Sequence, residues 1–572
     1  MMGSMLLFLV ACSEPLSSSI PSEGEDTAAD TGERNPAVQH CGAVEGDQRW
    51  EADRRHRVNC TVSVERGVLT IAAGTTVEFD AGAGLSVGTG DLEASLVVDG
   101  ATAGVVFSPR TTDAWEGVTF GPNTVGASIS GLAVRTTTGG VKIDGAEVFI
   151  GSLAIDGASA GCGLTLTDGA RLAEGSAGLS VAGAATWSVC GEVASADSLP
   201  GQASGYTGNG TDGVYLAGTQ LTASATWEDL GVPYVLADTV DVGGTAGDPA
   251  ILTITEGAAL EFERDKSLRF SRTGAASALR AVGTTEAPIS FAALGATSAG
   301  FWRGVEVYRG TSDVQLTNVS IASSGGKTAA LSVEDTPLLA QNLVIERSGT
   351  VGLKLEGESA FAEGSSGLAI RESELALVLP AAAVPTIPSA GLDFADNAVA
   401  AIQVAGVSAV AASGTWTDLG LPYWIDDDID IDGTADRPAL VTLNPGVTLL
   451  FGNNTGIFVG KKGASGLRVQ GTEALPVTME PWSANDPGAW AGVAIYDAVI
   501  DAEVVLEHLV IGYAGGSVLK GNLQVVDASP TVRAVSLHDG LEWGMYISGS
   551  GEPVVSEVTY SGNGSGECSG CP

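Results

Sequence analysis

The densest run of ligand-type side chains is Asp426-Asp427-Asp428-Ile429-Asp430-Ile431-Asp432-Gly433. Side chains alternate faces along a strand, so Asp428, Asp430 and Asp432 line one side while Ile429 and Ile431 point the other way. Carboxylates this close repel one another and welcome a hard divalent cation. The string fits a calcium loop through its sixth position. Ala439 then stands where the bidentate Glu belongs, and no helical pattern flanks it. The favoured reading is a solvated acidic face. A weak Ca2+ site on Asp428, Asp430 and Asp432 is the alternative, and no other cofactor is expected.

Aromatic residues near these acids offer a second chemistry. Trp424, Trp482 and Trp543 have no aromatic counterpart elsewhere in the chain, standing opposite Val235, Ala293 and Val351 in the internal alignment below. An unrepeated indole either stacks on a sugar ring or fills a differently shaped rung, and packing is the favoured reading. Nucleophile chemistry has little support. Gly84-Leu85-Ser86-Val87-Gly88 and Gly157-Ala158-Ser159-Ala160-Gly161 spell GxSxG, but neither opens the helix that a nucleophile elbow needs. The four histidines, His40, His56, His508 and His538, form no metal-ligand spacing. No catalytic residue is assigned.

The elements that position these groups follow from composition and repetition. The 572 residues carry 68 acidic and 27 basic side chains, a formal charge of −41. That charge excludes a phosphate-backbone partner, so no nucleic acid is expected. It also keeps the chain soluble, and a monomer is expected. A hydrophobic fraction of 44% is too high for a disordered chain, and 79 glycines without a G-X-Y period exclude collagen.

Self-similarity organises the rest. Thr226-Trp227-Glu228-Asp229-Leu230-Gly231-Val232-Pro233-Tyr234 returns as Thr415-Trp416-Thr417-Asp418-Leu419-Gly420-Leu421-Pro422-Tyr423. Trp-x-Gly-Val occurs at Trp115, Trp302 and Trp490, at spacings of 187 and 188. Three modules result, at 41–200, 201–400 and 401–572. Within them, runs such as Ala250-Ile251-Leu252-Thr253-Ile254-Thr255 alternate apolar and polar residues between glycine corners, the signature of short strands with one buried face. Brevity of the strands and scarcity of two-residue hairpin signals favour a β-solenoid over a sandwich array.

The order Leu252-Thr253-Ile254, Gly257, Leu260, Phe262, then Gly283-Thr284, Pro288-Ile289, Phe291, then Trp302, Gly304, Val305 resembles the right-handed parallel β-helix proteins of the pectin-lyase-like superfamily, in their bacterial cell-envelope lipoprotein branch. The resemblance covers about 41–572. It implies an all-β right-handed parallel β-helix of three modules, stacked at about 4.8 Å per coil. The enzyme segments of that superfamily are missing: there is no Gly-His-Gly or Arg-Ile-Lys, and Trp424-Ile425-Asp426-Asp427 lacks the His of Trp-Ile-Asp-His.

Leu9-Val10-Ala11-Cys12 resembles a bacterial lipobox. The resemblance implies that 1–11 is a lipoprotein signal peptide, that Cys12 is acylated, and that 12–40 is a disordered acidic and Ser-rich tether. Ser13 after the Cys tilts the location to the outer membrane or cell surface, held to the membrane by the lipid anchor. Export leaves six cysteines, for which the sequence-adjacent pairing Cys41–Cys60, Cys162–Cys190 and Cys568–Cys571 is the simplest. The expectation is a non-catalytic, surface-anchored lipoprotein for adhesion, matrix or glycan binding, or envelope scaffolding, with polysaccharide or surface proteins as partners. A polysaccharide lyase or glycoside hydrolase is the alternative.

Overall fold

The computed structural model describes residues 37–406, 409–516 and 518–571. Cys12, the signal-like segment and the tether up to residue 36 lie outside them. The chain is all-β, with strands stacked in parallel as in a β-solenoid. Each turn passes through three faces in a fixed order. The longest strand, His56–Ile71, shows the arrangement in one piece. It pairs in succession with 38–40, with 42–44 and with Gln48–Trp50 of the turn before, bending at two corners. These three stacks are here called the first, second and third faces. The first strand begins at Val38, so Val38, Gln39 and His40 belong to the solenoid rather than to the tether.

Period-2 patterning puts the apolar residues inside. Ala250, Leu252 and Ile254 are fully buried while Ile251 and Thr253 face outward. Register stacks like on like: Leu252 lies on Leu279 and Leu260 on Phe291. One continuous core results, each buried aliphatic side chain contributing roughly 1.5–3 kcal/mol by area.

The Trp-x-Gly signature is a packing device built three times. Trp115, Trp302 and Trp490 are fully buried and stack on Phe79, Phe262 and Phe451 at 3.8, 4.0 and 4.0 Å. Their Nε1 groups donate to the carbonyls of Arg135, Ala322 and Gly512 in the next turn, at 2.8, 2.9 and 2.8 Å. The glycine two residues on has φ near +115° in all three copies. At Gly304 a Cβ would also stand 2.5 Å from the Ala329 and Ala330 carbonyl oxygens, so both conformation and space require glycine.

The modules do not repeat in whole turns. Gly117 lies in the second face, Gly304 in the third and Gly492 in the first. Counting strand positions from one Trp motif to the next gives twenty-two each time, which is seven turns and one further face. Equivalent residues therefore emerge about one-third of the way around the solenoid in each successive module. In two places a 3-10 segment, Val193–Ser198 and Ala381–Thr386, replaces a strand at equivalent positions of modules one and two.

All three cysteine pairs form disulfides, with Cα separations of 4.9 Å for Cys41–Cys60, 5.8 Å for Cys162–Cys190 and 5.9 Å for Cys568–Cys571. The first two tie neighbouring turns, and the third closes the last turn on itself.

Candidate functional site

Superimposing the modules by strand register separates residues that build the fold from residues that decorate it. One outward row crosses three consecutive turns beside each Phe–Trp stack. In module one it holds Arg57, Glu78 and Ser108, with Arg110 just beyond. In module two it holds Val235, Glu261 and Ala292, with Leu294 beyond. In module three it holds Trp424, Leu450 and Glu480, with Trp482 beyond. The last position is fixed independently by the backbone: the Arg110, Leu294 and Trp482 amides donate to the carbonyls of Phe79, Phe262 and Phe451. Trp482 thus corresponds to Leu294, not to Ala293, because the register moves by one residue in the loop before it.

The same scaffold position is therefore finished in three ways. Module one carries an ion-pair ladder, with Arg55 and Arg57 on Glu78 at 2.7 and 3.1 Å and Arg110 on Asp80. Module two is largely aliphatic, and burial alone pushes the Glu261 carboxyl above the usual carboxylate range. Module three is aromatic: Trp424 and Trp482 stack face to face, 4.8 Å apart and 10° from parallel, both part-exposed on the third face. The fold requires no aromatic here, since the other two modules do without. The Trp424 Nε1 donor is buried and has no partner, a state that costs about 1–3 kcal/mol.

Polar groups flank the indole pair. Gln403, one turn before Trp424 in register, donates to the Asp426 carboxylate at 2.9 Å. On the far side Glu480 approaches His538 Nε2 at 3.8 Å, while His538 Nδ1 lies 3.1 Å from Asp539. His538 fits because its in-register neighbour is Gly512, where a Cβ would meet the ring at 2.2 Å. Tyr513 packs edge-on against the imidazole at 5.3 Å. Sequence reasoning passed over Glu480 and His538. The readable signal was Gly512 on an otherwise apolar strand, marking a close approach.

The other sequence candidates scatter. Trp543 lies on the first face between Gly521 and Gly566 and takes no part in the indole pair. Asp428, Asp430 and Asp432 do share one edge, but Asp428 and Asp432 are engaged by separate neighbours, and Asp430 Oδ1 is buried with no hydrogen-bond partner. Asp428 accepts from the Gly456 amide at 3.0 Å, and Asp432 from the Lys462 and Gly463 amides at 2.9 and 3.1 Å. Asp430 faces Lys461 at 3.9 Å. Burial, with repulsion from Asp430 and Asp427, raises the Asp428 pKa. Among the described residues no three His, Cys, Asp or Glu side chains are grouped to hold a metal. Asp428 and Asp432 act as staples between turns. His508 is a corner residue at φ +47°, equivalent to Asn318 at +49° and Gly131 at +71°.

A second recess, of about 500 Å³, opens where the 3-10 segment of module one replaces a strand. Its rim carries Glu147, Arg171, Glu174, Asp197, Gln202 and Glu228. Arg171 pairs with Asp197 at 2.8 Å and donates to the Ala194 carbonyl. One repeat further along the chain the equivalents of Glu147, Arg171, Asp197 and Glu228 are Pro337, Ala360, Pro385 and Thr417, so this charge is also decoration rather than scaffold.

Compared with known proteins, the chain matches no family model, no curated protein and no solved structure. No helix among the described residues is long and apolar enough to cross a membrane.

Proposed function

We propose that the protein is a non-catalytic, lipid-anchored surface lipoprotein of the pectin-lyase-like β-helix kind, which binds glycan on the Trp424–Trp482 platform. The observation that carries the reading is the indole pair itself. It is part-exposed on the outer surface, is unnecessary to the scaffold, and has the hydrogen-bonded Gln403 and Asp426 and the Glu480 carboxylate at neighbouring register positions. Stacking faces with polar groups at the edge suit a pyranose ring, whose axial C–H groups pack on an indole while its hydroxyls take hydrogen bonds. Right-handed winding is part of the proposal, since parallel crossover connections take that hand in about 98% of cases.

A glycan-array screen of wild type against Trp424→Ala and Trp482→Ala tests it. Binding that both substitutions abolish, with the fold intact by circular dichroism, supports the platform; binding indifferent to both removes it.

The recess at Arg171 favours a second reading, a polysaccharide hydrolase or lyase, because carboxylates and one guanidinium gather around it. Release of reducing or unsaturated ends from polysaccharide, lost in Arg171→Ala and Asp197→Ala, would move the assignment there.

A further inference from the structure

The Trp424–Trp482 platform has a charge as well as a shape. The same scaffold position carries Arg57 and Arg110 in module one, so nothing in the fold keeps cations away from it. In module three they are gone. Among the described residues, the third-face strands around the platform, Val399–Val404, Tyr423–Ile425, Thr448–Phe451, Val477–Pro481 and Leu509–Gly512, contain no Lys or Arg. The basic residues of these turns lie elsewhere. Arg437, Lys461 and Lys462 sit at the corner after the first face, and Arg468 is on the second face, paired with Glu503 at 2.7 Å.

Acids stand around the indoles instead. Asp426 follows Trp424 by two residues, and Asp426, Asp427 and Asp428 are exposed where the chain leaves the third face. Glu480 shares the outward row of Trp424 and precedes Trp482 by two residues. Among the described residues no ion pair reaches Asp426, which accepts only from the uncharged Gln403 side chain at 2.9 Å. The only basic side chain within 4 Å of Glu480 among them is His538, at 3.8 Å.

Three effects then act in one direction. An indole face attracts a cation through its quadrupole. Carboxylates without a cation partner take charge-assisted hydrogen bonds from an ammonium group. The field of the whole chain, at a net charge of −41, adds to both. An anionic sugar is repelled by all three. Ring geometry narrows the choice further. The indoles lie 10° from parallel, so they form a flat wall and not a box of ring faces closed around a quaternary ammonium. A flat wall takes the C–H face of a pyranose and leaves the ring substituents at its edge. Glu480 is two turns from Trp424 in register, about 10 Å along the axis, so a polymer reaches both carboxylates where a single sugar does not.

We propose that the ligand of the platform is a glycan bearing free amino groups, a polymer of hexosamine units without N-acyl substituents. Its ammonium groups pair with Asp426 and Glu480 while a ring packs on the indoles. This rests on the glycan reading of the platform and adds the charge of the sugar to it.

Isothermal titration of the full chain with three hexasaccharides tests the charge separately from the platform: protonated hexaglucosamine, its N-acetylated counterpart and hexagalacturonate. Hexaglucosamine should bind about tenfold tighter than the N-acetylated form, and hexagalacturonate should not bind. Asp426→Asn with Glu480→Gln should shrink that ratio toward one, and Trp482→Ala should abolish binding of hexaglucosamine, each variant keeping its fold by circular dichroism. Amine binding that survives Trp482→Ala is general attraction of a polycation to an acidic chain and overturns the proposal. A ratio that the double amide variant leaves unchanged overturns it too. If the N-acetylated hexamer binds through Trp482 as tightly as hexaglucosamine, the platform stands and the charge assignment falls. If no hexamer binds in a manner that depends on Trp482, both fall.

Discussion

Replacing Trp302 by Ala removes a fully buried indole from the middle copy of the repeated stack. The structure makes two contributions to the cost. Loss of the ring leaves a cavity against Phe262, 4.0 Å away, and large aromatic truncations in cores cost about 3–5 kcal/mol. Loss of Nε1 strands the Ala322 carbonyl, worth about 1 kcal/mol more. The expected total is roughly 4–6 kcal/mol, confined to the turns that meet there, because each turn of a solenoid touches only its neighbours. Trp302→Phe keeps a ring over Phe262 and gives up only the hydrogen bond and some volume, so about 1–2 kcal/mol is expected. Hydrogen exchange read by mass spectrometry is the assay. Protection should fall sharply in Ala259–Phe262, Gly304–Val307 and Thr311–Ala322 in Trp302→Ala, and little in the Phe variant. Equal losses in the two variants would show that the hydrogen bond, not the stack, carries the position. A loss spread evenly over all three modules would refute the nearest-neighbour reasoning.

Burial and the adjacent His56 push the His40 pKa down to about 4, below the roughly 6.5 of an unfolded histidine. The unfolded chain then binds more protons between those values, so the first turn loses stability as pH falls from about 6.5 to 4. Because the ring is half exposed, a discounted effect of about 1–2 kcal/mol is expected, read as earlier opening of Val38–Glu45 by hydrogen exchange and flattened in His40→Asn. Cys162→Ser with Cys190→Ser opens a loop of sequence separation 28. It should cost about 3 kcal/mol in a denaturant melt, and an unchanged midpoint would discount the bridge. Palmitate labelling in a bacterial host is expected to need Cys12; label retained by Cys12→Ala removes the anchor from the proposed function.

Strand content and the inward and outward residues were readable in the sequence, because alternation is a local signal. Ala250–Ile254 announces its buried face without reference to any other segment. The three cysteine pairs were also within reach, since two of them join turns adjacent in the chain. Pairing of Trp424 with Trp482 was not, although both residues had been singled out. They are 58 residues apart, and only the register through Leu450 brings them together. The acidic run shows the same limit. Alternation places Asp428, Asp430 and Asp432 along one edge, but it cannot show that neighbouring turns present amides to Asp428 and Asp432 separately.

Composition and period therefore determined what each segment is: a short strand, one face oily, a glycine at the bend. Winding alone decided where each residue points around the axis. A module of twenty-two strand positions divided among three faces leaves a remainder of one, so equivalent residues emerge in three directions. That remainder is a property of the closed turn, set by how many strands complete a circuit, and no single segment carries it.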